Sequence, residues 1–290
     1  MNVSSSLLLA LPDDVLRRVI VGVLRDDHHV VASVCKVLRG VITGERFPVL
    51  RQRYGFAERG IVTINCRGVL QMKMAPTHTI CTVATLPPAT RLSHNGVTTD
   101  GHSRLFVSTW ERGVALGQGA RGQVLVLDPS SRRWRRFATL PLVRDEHCIE
   151  WHAGLLYVAG GVSSSSFLPA NHFHVFSETT GSWEELPPMP RACYYAASGV
   201  IGSELFIAVI DWLQIYDITT RTWRFGAPLP ETRVRACGVV ADGKFFLIGS
   251  SPRQSTFVYD PQSNTWTDEA VPWGEGGRVS HACAHKPLQL

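Results

Sequence analysis

The sequence predicts a mainly β protein in which repeats of about four short strands form a β-propeller, preceded by a small helical module. Two observations predict the propeller. A sequence motif of one strand, one polar turn and one tryptophan occurs four times, and each copy is preceded by a glycine turn and another apolar strand. A third observation predicts the module, because the first 59 residues have helical rather than strand spacing. Units of roughly 40 to 50 residues with four strands have the size of propeller blades.

The repeated motif ends at Trp134, Trp183, Trp223 and Trp266, and an Asp or Ser lies six residues before each of them. The glycine turns before the second strands lie at Gly101, Gly154, Gly202 and Gly243. Those second strands are short, apolar and rich in β-forming residues. One blade cannot bury both of its faces, so we expect the tryptophans to pack between neighbouring blades.

The two ends of the repeat region are incomplete as units. Residues 60–88 contain strand-like runs without a tryptophan, and residues 278–290 begin a unit that stops early. If the early strands complete the blade that the late segment begins, the ring closes and no strand edge stays exposed. The sequence therefore predicts about five blades, one of them composite.

Composition places the chain among soluble proteins with a hydrophobic core. It has 290 residues, 44% hydrophobic residues and a net charge of +5, and Arg greatly outnumbers Lys. No segment approaches the roughly 20 apolar residues that span a bilayer, and the N-terminus lacks the basic start of a secretory signal. Cys148, Cys193, Cys237 and Cys283 recur at similar spacing, which favours buried reduced thiols. We expect an intracellular protein of the cytoplasm or nucleus, without a membrane partner.

Residues 1–59 are predicted to form a module of three short helices, and residues 60–290 the propeller. Apolar residues recur at helical spacing from Val15 to Val23 and from Val30 to Ile42. Asp13 and Asp14 follow Pro12, where acidic groups favour the start of a helix. A module this small buries little surface, so a partner on its apolar side is expected.

Both parts resemble known families. Gly160-Gly161 after an apolar strand, followed by an aromatic residue before D-x-x-x-x-x-W, resembles the kelch signature over about residues 91–272. The segments "LPDDVLRRVI" and "VASVCKVLRGVI" resemble the F-box, except that Leu38 stands where a tryptophan is usual. The chain is thus similar to plant F-box proteins with kelch repeats.

This resemblance implies the substrate receptor of an SCF-type cullin-RING ubiquitin ligase, a non-catalytic subunit. Its F-box would dock a Skp-family adaptor, and through it the cullin and RING subunits. Its propeller would hold a target protein for ubiquitination and proteasomal degradation. The adaptor contacts that the motif implies are Leu11, Pro12, Val15, Leu16, Val19, Val34, Cys35 and Lys36.

Arginines follow the closing Leu-Pro or Val-Pro of successive units, in the connections between blades. They are Arg91, Arg144, Arg191, Arg233, Arg235 and Arg278. Such connections gather at one mouth of a propeller, and guanidinium groups bind carboxylates bidentately. The kelch resemblance implies that they hold an acidic segment of the target. The alternative is that each arginine braces a loop or pairs with a nearby acid. The long loops that contain Trp110, Glu111, Phe167 and Asn171 are further contact candidates.

No pattern of catalytic residues or cofactor loops stands out. The sequence has no phosphate-binding glycine loop, no zinc-type cysteine pairing and no nucleophile elbow. "HACAH", with His281, Cys283 and His285, could place three ligands on one strand face, but Cys283 also fits a core position. "RRWRR" is the only segment suited to nucleic acid, and no wider basic stripe accompanies it. We expect no catalytic residue, no metal and no cofactor.

Two alternatives to the ligase interpretation stay open. Leu38 in the F-box-like segment is compatible with a kelch scaffold whose helical module has lost its adaptor. "HACAH" is compatible with a metal-dependent kelch-type enzyme acting on a small metabolite.

Overall fold

The computed structural model of the chain describes residues 59–64, 69–75, 80–88, 90–100, 104–111, 122–128, 133–142, 144–163, 167–249, 256–269 and 283–284. Within these ranges all regular structure is β-strand, and no helix long and apolar enough to cross a membrane is found there. The described strands, apart from Arg59, belong to one unit that spans Gly60–Leu288. The predicted helical module lies outside the described residues.

Four blades are antiparallel sheets, each built from one continuous segment of the chain, although in blade 2 a strand of another sheet lies between the second and third strands. Blade 1 has the strands β4 (Thr90–Thr99), β5 (Leu105–Glu111), β6 (Gln123–Asp128) and β7 (Arg133–Thr139). Blade 2 has β9 (Cys148–His152), β10 (Leu155–Ala159), β12 (Phe173–Ser177) and β13 (Ser182–Leu186). Blade 3 has β14 (Ala197–Ile201), β15 (Glu204–Val209), β16 (Trp212–Asp217) and β17 (Thr222–Phe225). Blade 4 has β18 (Cys237–Ala241), β19 (Lys244–Ile248), β20 (Thr256–Asp260) and β21 (Thr265–Glu269).

A further four-stranded sheet joins both ends of the repeat region. Its order is β22-β1-β2-β3, with β1 (Arg59–Ile64), β2 (Val69–Ala75), β3 (Ile80–Thr85) and β22 (Cys283–Ala284). Thr63 pairs with Cys283 and Val62 with Ala284. The structure is thus a propeller with four blades that are each built from one continuous segment. This is one fewer than the predicted count of five, because the remaining sheet combines strands from two separate segments.

The first strand of each blade is the innermost one. β9 lies beside β4 and β14, and β14 lies beside β18. β22 lies beside both β18 and β4. A two-stranded sheet of β8 (Arg144–Asp145) and β11 (Val162–Ser163) connects the entrance of blade 2 to the loop that follows β10.

Most of the described hydrophobic core lies between blades, and one further cluster, which includes Val239 and Phe246, lies within blade 4. One cluster joins Phe106 and Val126 of blade 1 to Trp151 and Val158 of blade 2. Two similar clusters join blade 2 to blade 3 and blade 3 to blade 4. A blade therefore acquires a buried face only when its neighbour is present.

The four repeated tryptophans make the same contact in each blade. Each indole Nε1 donates a hydrogen bond to a backbone carbonyl near the closing proline of the preceding unit. The pairs are Trp134 to Thr85 at 2.9 Å, Trp183 to Thr139 at 2.8 Å, Trp223 to Pro187 at 2.9 Å and Trp266 to Ala227 at 3.0 Å. This confirms that the tryptophans pack between blades, and it adds a polar contact that the sequence does not reveal.

Three of the four recurring cysteines, Cys148, Cys193 and Cys237, are buried and free, but they are not all equivalent. Cys148 and Cys237 are the first residues of β9 and β18, whereas Ala197 has that place in β14. Cys193 is also buried but lies four residues before β14. The similar spacing of the cysteines in the sequence therefore does not mean that they occupy the same position in each blade. Burial raises the pKa of the Cys148 thiol to about 12, which makes it unreactive.

The turn between β9 and β10 offers a test of local strain. Ala153 and Gly154 connect the paired residues His152 and Leu155, and Ala153 has a left-handed φ of 48°. Asp242 has the same φ in the matching turn of blade 4. Left-handed backbone costs most L residues roughly 1–2 kcal/mol, and Asn-Gly is the favoured pair in such turns.

We expect Ala153→Asn to raise the free energy of unfolding by about 0.5–1 kcal/mol. Urea denaturation of the full chain measures this change. Asp242→Ala is the matched control and should lower the free energy by a similar amount. A neutral or destabilising Ala153→Asn would show that this turn is not under the proposed strain.

Candidate functional site

Two kinds of connection share one face of the propeller. In an antiparallel blade, the links from second to third strand lie at the same edge as the links to the next blade. We name this side the connection face, made by the described residues among 140–147, 160–172, 187–196, 210–211 and 226–236. The short turns between the first and second strands and between the third and fourth strands lie on the opposite face.

Exposed apolar side chains border the connection face. Among the described residues, the exposed large hydrophobics are Leu142, Phe167, Leu168, Tyr194, Ile210, Phe225 and Val234. Six lie within the connections, and Phe225 is the last residue of β17, directly before one. Phe167 and Leu168 are 70% and 64% exposed. Among the described residues, exposed large hydrophobic side chains therefore concentrate on or next to the connection face.

The loop that carries Phe167 and Leu168 is anchored at its base. Ala170 pairs with Cys193, and its N–H donates to the Gly161 carbonyl at 2.8 Å. Asn171 exchanges two bonds with Met189, since the Met189 N–H donates to its carbonyl and its side-chain amide donates to the Met189 carbonyl. The connection between blades 2 and 3 therefore supports the exposed dipeptide.

The six predicted target-binding arginines occupy different environments. Arg144 and Arg233 are only 1% and 2% exposed, whereas Arg191 and Arg235 are exposed. Only the backbone of Arg91 is described, in β4, and Arg278 lies outside the described residues. All eight predicted adaptor contacts also lie outside them, so their role stays a prediction.

Arg144 and Arg233 occupy equivalent places, each four residues before an innermost strand. The Arg144 guanidinium donates to the carbonyls of Gly160 and His172 and bonds His174 Nδ1 at 3.0 Å. The Arg233 guanidinium lies 4.4 Å from the centroid of the Phe257 ring and pairs with Glu231 at 3.2 Å. Both side chains brace their loops, the alternative role that the sequence left open.

Two buried histidines flank Arg144. His147 Nε2 lies 2.8 Å from the Ser108 hydroxyl, and its side chain is fully buried. Burial and the Arg144 charge lower the pKa of His147 to about 3 and that of His174 to about 4. Both rings are therefore neutral near pH 7, and His147 links blade 2 to Ser108 of blade 1.

Three equivalent loop positions have left-handed backbone. Glu146, Tyr195 and Arg235 each lie two residues before an innermost strand, with φ of 60°, 52° and 62°. The Arg235 guanidinium lies 4.2 Å from the Tyr195 ring centroid and donates to the Tyr195 hydroxyl at 2.9 Å. Burial raises the pKa of Tyr195, and a hydrogen bond with Glu146 adds to the increase. Neighbouring blades thus place an acid, a phenol and a guanidinium in a row, held by unfavourable φ angles.

Arg191 is held differently from the other arginines. The buried Gln214 accepts from its backbone N–H at 2.7 Å and donates to its carbonyl at 3.2 Å. The guanidinium carbon lies 5.8 Å from the Trp212 ring centroid and 5.5 Å from that of Phe225. No ion pair joins Arg191 to another residue of the described chain.

Sequence reasoning missed Gln214, Trp212, Phe225 and Tyr195. Gln214 is a polar residue between the apolar Leu213 and Ile215 in the middle of its strand, and this is the signal that could have identified it. Within the described part of the chain, no group of three His, Cys, Asp or Glu side chains could hold a metal ion. The side chains of "HACAH" are outside that part.

The chain is similar to plant proteins along most of its length. It is 22% identical to an F-box/kelch-repeat protein of Arabidopsis thaliana over 286 residues, which cover 94% of this chain and 82% of the relative. A second Arabidopsis F-box/kelch-repeat protein is 27% identical over 94% of this chain and 75% of its own length. No protein-family model matches the chain.

An animal relative matches a shorter segment. The kelch repeat and BTB domain-containing protein 12 of Danio rerio is 26% identical over 46% of this chain, which is 27% of that protein's length. The similarity to the two plant relatives thus extends through both the predicted helical module and the predicted propeller. The similarity to the Danio rerio protein covers less than half of the chain.

Proposed function

We propose that this plant-type F-box/kelch-repeat protein is the substrate-recognition subunit of an SCF-type cullin-RING ubiquitin ligase. Residues 1–59 dock a Skp-family adaptor, and the propeller of residues 60–290 binds a target protein on its connection face. The chain itself performs no bond chemistry. It brings a target lysine close to a ubiquitin-charged enzyme, in the cytoplasm or nucleus, so that the reaction becomes effectively intramolecular.

The observation that carries the propeller half of this proposal is the composition of the connection face. Exposed apolar side chains border this face, and the exposed Arg191 and Arg235 lie on it beside aromatic rings. Aromatic residues and arginines are enriched in the energetic centres of protein interfaces. The similarity to F-box/kelch-repeat proteins along 94% of the chain supports the adaptor half.

We also propose that the composite sheet is a fifth blade that closes the ring. Its support is the position of β22, which pairs with β1 and lies beside the innermost strands of blades 1 and 4. In this sheet β22 covers the edge of β1 that would otherwise be open to pairing with other chains.

The proposed docking of residues 1–59 to a Skp-family adaptor is tested by a pull-down of the purified full chain with that adaptor. We expect wild-type protein to bind and a Pro12→Ala, Leu16→Asp double variant to lose at least about tenfold in affinity, because a carboxylate replaces an apolar contact. Arg221→Ala is the control, since Arg221 is an exposed residue paired with Glu184 on the opposite face. If wild type does not bind, the kelch scaffold that Leu38 suggests becomes the better interpretation.

A further inference from the structure

Lysine is nearly absent from the propeller part of this chain, although positive charge is not. Residues 74–285 contain sixteen arginines and one lysine, Lys244. We propose that this composition keeps the connection face free of acceptors for ubiquitin, so that the ligase modifies the bound target rather than its own receptor. The inference rests on the proposed function, because it concerns which amines lie close to the ubiquitin-charged enzyme.

The chemistry of ubiquitin transfer distinguishes the two basic side chains. A deprotonated lysine amine attacks the thioester carbon that joins ubiquitin to a cysteine of the charged enzyme. A C–N isopeptide bond forms, the C–S bond breaks, and the enzyme cysteine leaves as a thiol that takes up the proton released by the amine. A guanidinium has a pKa above about 12 and does not lose its proton in proteins, so arginine keeps the charge without becoming an acceptor.

The connection face has exposed arginines but no lysine among its described residues. Arg191 and Arg235 are exposed there, in the connections that follow blades 2 and 3. Lys244 begins β19, directly after the turn from the first to the second strand of blade 4, and therefore lies on the opposite face. Its side chain is 43% exposed, and its Nζ lies 4.0 Å from a carboxylate oxygen of Asp260.

The need for a guanidinium explains some of the arginines. Arg144 and Arg233 are buried and make several contacts each. Arg104 donates to Asp100 at 2.8 Å and to Glu178 at 2.6 Å. A lysine at these positions would lose the planar fork on which the contacts depend.

Other arginines have no contact that requires the fork. Arg133, Arg135 and Arg136 are exposed on β7, the outermost strand of blade 1. Their side chains make no ion pair or hydrogen bond with the described residues. A lysine would supply the same charge at these positions. The exclusion of lysine therefore extends beyond the places where the fold needs a guanidinium.

Proximity explains why an amine on the connection face would matter. The receptor brings a target lysine close to the charged enzyme by binding the target on this face, and the same geometry would bring a lysine of the face itself close to that enzyme. Such a lysine would be present continuously, whereas a target lysine is present only while the target is bound. With arginine in its place, the receptor remains unmodified through successive targets.

The test is ubiquitination of the full-length protein assembled with the adaptor, cullin, RING subunit and charged enzyme, in the absence of a target. Arg191→Lys adds one amine to the connection face. Arg221→Lys is its match on the opposite face, since Arg221 is 57% exposed in the turn between β16 and β17. Mass spectrometry measures the fraction of chains that carry ubiquitin at each lysine. We expect position 191 to be modified at least about tenfold more than position 221, because the effective concentration of an amine falls with its distance from the charged enzyme.

Two further variants complete the test. Arg235→Lys adds an amine at a second, independent position of the connection face and should be modified like Arg191→Lys. Lys244→Arg removes the one lysine of residues 74–285 and should leave the total modification of the protein unchanged, because Lys244 lies on the opposite face.

Three results would overturn this inference. They are equal modification on the two faces, no modification at position 191 or 235, and efficient modification of Lys244 in the wild type. The adaptor pull-down on the same proteins separates the inference from the ligase role. Adaptor binding together with any of these results rejects the inference alone, and absence of adaptor binding rejects the ligase role and the inference with it.

Discussion

Trp223→Ala is expected to lower the free energy of unfolding by about 3 kcal/mol, at the lower end of the range for truncating a large aromatic residue because Trp223 is half-buried. The substitution removes ring contacts with Phe173 of blade 2 and Tyr216 of blade 3, at centroid distances of 5.1 and 4.9 Å. It also removes the hydrogen bond to the Pro187 carbonyl. The loss therefore affects the attachment of blade 3 to blade 2 more than either blade itself.

Two further variants separate these contributions in urea denaturation of the full chain. Trp223→Phe keeps an aromatic ring but not the donor, and it should cost about 1 kcal/mol. Phe225→Ala removes an exposed ring two residues away on the same strand and should cost less than about 1 kcal/mol. Equal losses for Trp223→Ala and Phe225→Ala would contradict the role of the tryptophan between blades.

Acidification from pH 6.5 to 5 is expected to lower stability by about 1.5 kcal/mol for each of His147 and His174. Their pKa values are depressed to about 3 and about 4 in the folded chain, whereas an unfolded histidine titrates near 6.5. Between these values the unfolded state binds more protons, so the free energy of unfolding falls as the pH falls. Arg144 opposes protonation of both rings, while Asp145 near His147 and Glu185 near His174 partly offset it.

Urea denaturation at several pH values between 7.5 and 5 measures this slope. His174→Asn keeps an acceptor for the Arg144 guanidinium but cannot titrate, so the variant should have about half the wild-type slope. An unchanged slope in the variant would mean that His174 does not contribute to the pH dependence. A flat wild-type profile would show that neither histidine is held neutral.

The repeat could be predicted from sequence because it depends on local chemistry. Gly154, Gly202 and Gly243 have positive φ in the turns where the pattern placed them, and the tryptophans lie between blades. A strand, a turn residue and a bulky ring are recognisable within about ten residues of sequence. The helical module and its adaptor contacts stay predictions.

The environment of each arginine could not be predicted in the same way. Arg144 and Arg191 look alike in sequence, since both follow a closing Leu-Pro. Their exposure depends on the distance to the next strand and on a residue some 20 to 30 positions later, His174 in one case and Gln214 in the other. Such a pairing is a tertiary contact that no local pattern encodes.

The pairing of β22 with β1 has a consequence for the synthesis of the protein. Thr63 is translated 220 residues before its partner Cys283. Until then, β1 has an unpaired edge, although the four consecutive blades can already fold one after another as they emerge. Chains in which β22 has not yet been synthesised therefore expose a strand edge that β22 covers once it pairs with β1.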